Sequence, residues 1–227
     1  MTLSETEIAA LLLSLKVGLA AMLAVLPVAY GLAWLLARRR FPGRLLLDAL
    51  VHLPLVLPPV VVGYLLLIAF GRNGPLAFLG DALLFRWTGA ALAAALMALP
   101  LMVRAMRLSI EAVDRRLVGA ARSLGASPWR AFASVTLPLS LPGVLAGAVL
   151  GFAKAMGEFG ATITFVSSIP GETQTLPLAI YGLLQVPGAE PQVVRLAILS
   201  IILSLGALLV SETLVRRATR HRGDDAL

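Results

Sequence analysis

Residues 114 to 138 read Asp-Arg-Arg-Leu-Val-Gly-Ala-Ala-Arg-Ser-Leu-Gly-Ala-Ser-Pro-Trp-Arg-Ala-Phe-Ala-Ser-Val-Thr-Leu-Pro. The stretch lies between two strongly apolar segments and is itself neither apolar nor random. Its capping chemistry predicts two short helices meeting at a tight corner. Asp114 is placed to accept an N–H at the start of the first, and Gly125 to close it. Ser127 then caps the second, with Pro128 at its first helical position, where a missing N–H costs nothing. The first helix carries Ala120 and Ala121 beside Leu117 and Leu124, surrounded by Arg115, Arg116 and Arg122. A flat patch of small residues with a basic surround can be approached closely by another protein. The bland alternative is an Arg-rich loop at a membrane surface. Read as a docking surface, the stretch is a handle by which a partner moves the rest of the chain.

The flanking segments set the class. The 227-residue chain is 59% hydrophobic and 14% charged, with mean hydropathy +0.92. Soluble domains carry about 25% charged residues. Several apolar runs here approach the roughly 20 residues needed to cross a bilayer core of ~30 Å. The expectation is an all-α, multi-pass membrane protein, with residues 1–227 as a single transmembrane domain. Without Cys, disulfides, thiolate metal sites and thiol nucleophiles are excluded. The amino terminus carries Glu5 and Glu7 and no basic residue before Lys16, the reverse of a secretory signal. Ser4 and Glu7 form a candidate capping box ahead of the first apolar run.

Five spans are expected: about 12–37, bent near Pro27; 47–70; 88–106; from Pro138 or Pro142 to about Thr162; and 192–215. Four basic residues lie between 38 and 44, six between Arg104 and Arg130, and four after residue 215. Arg72, Arg86 and Arg195 fall on the opposite side. Basic residues stay cytoplasmic, so the amino terminus is expected to be periplasmic and the tail cytoplasmic. The same asymmetry explains the net charge of +7 without a nucleic-acid partner. The apolar run at 174–187, bounded by Pro177 and Pro187, is too short to span and is expected to be interfacial or re-entrant; a sixth tilted span is the alternative.

Three features could line a pathway. Pro54, Pro58 and Pro59 each remove a donor from the second span and free a carbonyl, which in hydrocarbon needs protein or water as partner. A broken helix is expected there, with Val60, Val61, Val62, Tyr64 and Leu65 as a candidate apolar gate. Gly143, Gly147, Gly151 and Ala155 recur at four-residue spacing and leave a smooth groove, for packing within the chain, for a wall of the pathway or dimer seam, or for both at different depths. Lys154 and Glu158 are one helical turn apart inside the fourth span. One unpaired charge there costs roughly 2.5–3.5 kcal/mol, so the two either pair with each other or face a wet cavity. Thr162, Thr164, Ser167 and Ser168 beyond them could offer neutral donors to an oxyanion.

The stretch at 114–138 resembles the coupling-loop signature of ABC importer permeases: Ala120, Ala121, Gly125, Ala126, Phe132, Val135, Leu137 and Pro138 fall in register. The signature has Glu where this chain has Gly119, and the small-residue surface is kept. The runs Leu53 to Tyr64, Pro100 to Ala105, Gly157-Glu158-Phe159-Gly160-Ala161-Thr162 and Ile169 to Pro177 resemble the molybdate ABC transporter permeases, the likeness extending from about Leu13 to Glu212. Related sulfate and tungstate permeases share the fold. The resemblance implies a type I ABC importer permease with five transmembrane helices and a cytoplasmic coupling helix within 114–137. It implies a second permease copy, cytoplasmic ABC ATPase subunits, a periplasmic molybdate-binding protein, molybdate as cargo and surrounding membrane lipid. It implies ATPase coupling through Gly119, Ala120, Ala121, Arg122, Gly125, Ala126 and Pro138. The translocation pathway or gate is expected at Pro54, Pro58, Pro59, Gly147, Gly151, Lys154, Glu158, Phe159, Gly160 and Thr162.

An enzyme is not expected. No H-E-x-x-H, G-x-S-x-G or G-x-x-x-x-G-K-[ST] occurs, so ATP and Mg would be held by the partner ATPase and no cofactor or metal by this chain. An ion-coupled secondary transporter is the alternative class. Such proteins often carry internal repeats and several intramembrane polar groups, and no repeat is visible here.

Overall fold

The structure, a computed structural model, describes residues 4–224, with side chains described up to position 206 and at 208–210 and 213. Every regular element among them is helical. Helix α1, Glu5–Arg38, starts on the expected capping box: Ser4 Oγ accepts the Glu7 N–H, and Glu7 Oε2 accepts the Ser4 N–H at 2.8 Å. It continues through Pro27 as one helix. Helix α5, Trp87–Ala112, is the centre of the bundle. Its face of Ala90, Ala93, Ala94, Ala98, Met102, Val103 and Met106 is closed to solvent. Small side chains let α1 and α8 (Leu137–Met156) pack closely along it, which is how helices associate where lipid is as apolar as leucine.

The second span is broken as the prolines predict. Helices α2, Arg44–Val56, and α3, Pro59–Phe70, meet at a bend of 112°. Leu57 and Pro58 are both extended at the break, the conformation forced on a residue before proline. Pro54 does not contribute: it is buried inside α2, which continues past it. A 3₁₀ turn at Ala77–Leu79 and the single turn α4, Gly80–Leu83, lead back to α5.

Helices α6, Arg115–Ser123, and α7, Pro128–Ala131, form the predicted corner. Asp114 accepts the Arg116 N–H at 2.8 Å and Ser127 accepts the Arg130 N–H at 3.2 Å. Gly125 takes φ +89°, with Ala126 N–H donating to Ala121 O at 3.0 Å.

The expected start of the fourth span is corrected. The helix begins at Pro128, not after Pro138 or Pro142, because α7 passes without interruption into α8 through a π-turn at Phe132–Thr136. There the Leu137 N–H reaches back five residues to Phe132 O. This wider turn absorbs the strain that a proline places on the carbonyl four residues before it.

The expected end is corrected too. Helix α8 stops at Met156, and residues 157–159 are a break before α9, Gly160–Val166. Helix α10, Leu176–Leu183, has eight residues. At 1.5 Å per residue it covers about 12 Å, too little to cross. Helix α11, Glu190–Asp224, completes the fold and runs past the expected limit of 215; the side chains of its four tail arginines lie outside the described set.

Four helices are long and apolar enough to cross a membrane, and the bent α2–α3 pair together has the length and composition of a fifth, as a broken span or a re-entrant loop. Leucines, isoleucines and valines stay exposed along α2, α3 and α11. Exposed apolar surface on that scale belongs against lipid or another chain.

Candidate functional site

The first site is the corner at the Arg38 end of the bundle. No residue of α6 is buried. Leu117, Leu124 and Trp129 are 50%, 90% and 75% exposed, so three large apolar side chains frame a patch of glycine and alanine. A Cβ at Gly119 or Gly125 would meet nothing within 4 Å. The patch is therefore open and shallow, and a partner's side chains can reach backbone there. Gly119, Ala120, Ala121, Arg122, Gly125 and Ala126 all belong to it. Pro138 does not: it lies in the first turn of α8, beyond the π-turn.

The corner is fastened by a residue whose anchoring role the sequence did not reveal. Phe132 stacks on Trp129 (centroids 5.2 Å apart) and meets Tyr30 and Trp34 of α1 edge-on, each at 6.1 Å. Such pairs add about 0.5–1.5 kcal/mol each beyond area burial. Tyr30 Oη and Ser140 Oγ are 2.9 Å apart. Arg38 donates to Ile110 O and Val113 O at 2.9 and 3.0 Å, just before the corner. A displacement of the corner is thus carried to α1 by aromatic contact and to α8 by continuous helix.

The second site is where two helix breaks meet. A Cβ on Gly160 would sit 2.8 Å from Pro59 Cβ, and one on Gly63 would sit 2.4 Å from Ala161 O. Helices α3 and α9 therefore pack backbone against backbone, directly beside the breaks at Pro58 and at 157–159. Glu158 stands at this junction with its side chain 1% exposed. Its Oε2 accepts from Lys154 Nζ at 2.6 Å and its Oε1 from the Ala161 N–H at 3.0 Å. Both carboxylate oxygens are engaged within the chain, so Glu158 closes the break and tethers α9 to α8. The Lys154 side chain is 28% exposed and keeps N–H donors beyond the one given to Glu158. It is the more accessible member of the pair.

Other expected pathway residues are placed differently from one another. Pro58, Pro59, Val60, Val61, Tyr64 and Leu65 are exposed, while Val62 and Thr162 are buried. The Phe159 ring packs on Tyr181, centroids 4.9 Å apart. Gly147 and Gly151 face Met102 and Met106 of α5, so the glycine row packs against a helix of the same chain. The Thr164 hydroxyl donates to Gly160 O at 2.9 Å, closing its own helical turn.

Two ion networks escaped the sequence reading. Arg195 of α11 holds Glu7 of α1 at 2.6 Å, with the Glu7 side chain 5% exposed. Arg107 joins Asp48 of α2 to Glu111 at 3.0 and 2.9 Å. The only sequence signal for the first was an acid and a base each set beside an apolar run. Among the described residues no cluster of His, Asp or Glu could hold a metal.

The exposed corner is joined by one continuous helix to a bundle that carries, at the far end of that helix, a junction of two helix breaks; such an arrangement fits a membrane component of a transport system. Residues 29–220 match the family described as "Binding-protein-dependent transport system inner membrane component", and the chain belongs to that family: it is a multi-pass inner-membrane component of a binding-protein-dependent transporter. It is 57% identical over 225 residues to the molybdenum transport system permease protein ModB of Haemophilus influenzae, covering 96% of this chain and 97% of that protein. It is 55% identical over 231 residues to its namesake in Escherichia coli, covering 98% and 100%. Among solved structures, that of a bacterial ABC transporter importing the acidic polysaccharide alginate superposes with TM-score 0.75 at 19% identity, covering 95% of this chain and 80% of that one. The likeness supports the ABC importer permease fold.

Proposed function

We propose that this chain is the membrane subunit through which an ATP-driven importer passes molybdate. Identity above one half, end to end, with two molybdenum transport permeases is the observation that carries the substrate. On this reading residues 1–227 are one transmembrane domain. Two copies enclose the pathway, and the exposed apolar face of α3 is the surface available to a second copy. The α6–α7 corner takes a groove of a cytoplasmic ABC ATPase, which holds ATP and Mg. A periplasmic molybdate-binding protein delivers the anion at the opposite end. Basic residues gathered at the Arg38 end support a periplasmic amino terminus and a cytoplasmic tail.

Nucleotide closes the ATPase pair and draws the two corners together. Because α7 continues into α8 and Phe132 grips α1, the spans turn as rigid bodies and the pathway opens outward. Hydrolysis restores the inward state. The partner's differential affinity for nucleotide in the two states drives the exchange. The anion passes the exposed Pro58–Pro59 break, with Lys154 as the accessible cation, while Gly147, Gly151 and Thr162 support that wall from behind. The test is molybdate uptake by proteoliposomes holding the chain, its ATPase and the binding protein. Uptake should require ATP and ignore a proton gradient; uptake without nucleotide, or of sulfate but not molybdate, overturns the reading. The chain lacks Cys, so Ser123→Cys and Gln185→Cys report orientation: only the first should label from the cytoplasm.

A further inference from the structure

We propose that the arginine basin at the Arg38 end holds the phosphate headgroup of an anionic phospholipid. A cavity of about 730 Å³ is lined by Arg38, Arg39, Arg40, Arg44 and Arg115, with Glu111 the single carboxylate among its lining residues. Glu111 can offset only one of these five charges, and its Oε1 already accepts from Arg107 at 2.9 Å. Arg38 is fixed by two backbone carbonyls, which hold its position without cancelling its charge. Among the described residues, Arg39, Arg40, Arg44 and Arg115 enter no ion pair; Arg39 lies 5.5 Å over the Trp34 ring. Like charges gathered around one cavity repel, and an anion in the cavity relieves that repulsion. Guanidinium forks match the oxygens of a phosphate in pairs.

Lipid, rather than a free anion, is favoured by what adjoins the basin. The cavity sits between the end of α1, a candidate span, and the start of α2; basic residues at the end of a span are where anionic headgroups are attracted. Directly beside Arg44, Leu45, Leu46 and Leu50 are 83%, 64% and 55% exposed. Acyl chains running from a headgroup in the basin would cover these leucines. A soluble oxyanion would use the arginines and leave them bare.

The test is native mass spectrometry of the full chain, counting retained phosphatidylglycerol against phosphatidylcholine. The wild type should keep phosphatidylglycerol selectively. Arg40→Gln with Arg44→Gln should weaken retention about 30-fold, taking about 1 kcal/mol per arginine near the surface. Arg40→Lys with Arg44→Lys, which keeps the charge but loses the forks, should fall between. Arg72→Gln with Arg86→Gln, at the opposite end, should change nothing; equal loss there shows general charge attraction and overturns the site. Undiminished retention in the glutamine pair also overturns it. So does millimolar inorganic phosphate or molybdate that binds alone and strips the lipid, since the basin would then serve a soluble anion.

Discussion

Removing Lys154 should harm the fold far more than removing Glu158, although the two form one ion pair. In Lys154→Met the carboxylate remains, 1% exposed, with only the Ala161 N–H left to satisfy it. Breaking a buried pair in this way costs about 3–5 kcal/mol. In Glu158→Gln the amide oxygen still accepts from Ala161, and the 28% exposed ammonium can turn to water. That loss is nearer ~1 kcal/mol, the worth of an ordinary hydrogen bond or half-exposed pair. The double variant leaves no charge behind and should recover most of the deficit, a coupling of about 2–3 kcal/mol within the range seen for contacting residues. At about 2–4 °C per kcal/mol for a chain of this size, Lys154→Met should melt roughly 6–20 °C below wild type in a thermal-shift measurement on the purified chain. Glu158→Gln should fall by less than about 4 °C. If Lys154→Met is as stable as wild type, or the double variant no better than Lys154→Met, the pair does not hold the break closed. If Glu158→Gln is stable yet abolishes uptake, its carboxylate has a transport role beyond the tether.

Gly63→Val should destabilise by about 1–3 kcal/mol, because its Cβ would strike Ala161 O at 2.4 Å, a backbone atom that cannot swing away; Gly182→Ala, with open space at the same test, is the control in the same melting assay. Gly125→Leu places a side chain at φ +89°, at a cost of about 1–2 kcal/mol, and covers the corner; it should lower ATPase co-purification or uptake per ATP hydrolysed, and unchanged values for both would remove Gly125 from coupling. Gly119→Glu enters open space and should alter stability by less than about 0.5 kcal/mol, so any change in ATPase affinity reports contact with the partner.

Much of this protein was legible without coordinates because its strongest signals are local. The Pro58–Pro59 break follows from two missing N–H groups and the steric restriction on Leu57. The corner follows from Asp114, Gly125, Ser127 and Pro128, each acting within three residues of itself. The fourth span departs from its expected limits for a physical reason of the same kind. Pro138 and Pro142 look like breakers, but a π-turn gave the chain a way to carry them inside a helix. No run of hydropathy distinguishes Met156 from Thr162 as an end, since both sides of the break are apolar.

What the chain determines by itself is its class, its apolar segments and the position of its corner: apolar length, capping chemistry and proline sterics operate over a few residues and survive in any arrangement of the helices. Only the tertiary structure decided that the glycine row meets α5, that Gly63 rests on the backbone of α9, that Phe132 binds the corner to α1, and that Arg195 neutralises Glu7 from 188 residues away. Those contacts depend on which helix faces turn toward each other, and a helical repeat states that a face is smooth or charged without naming its partner.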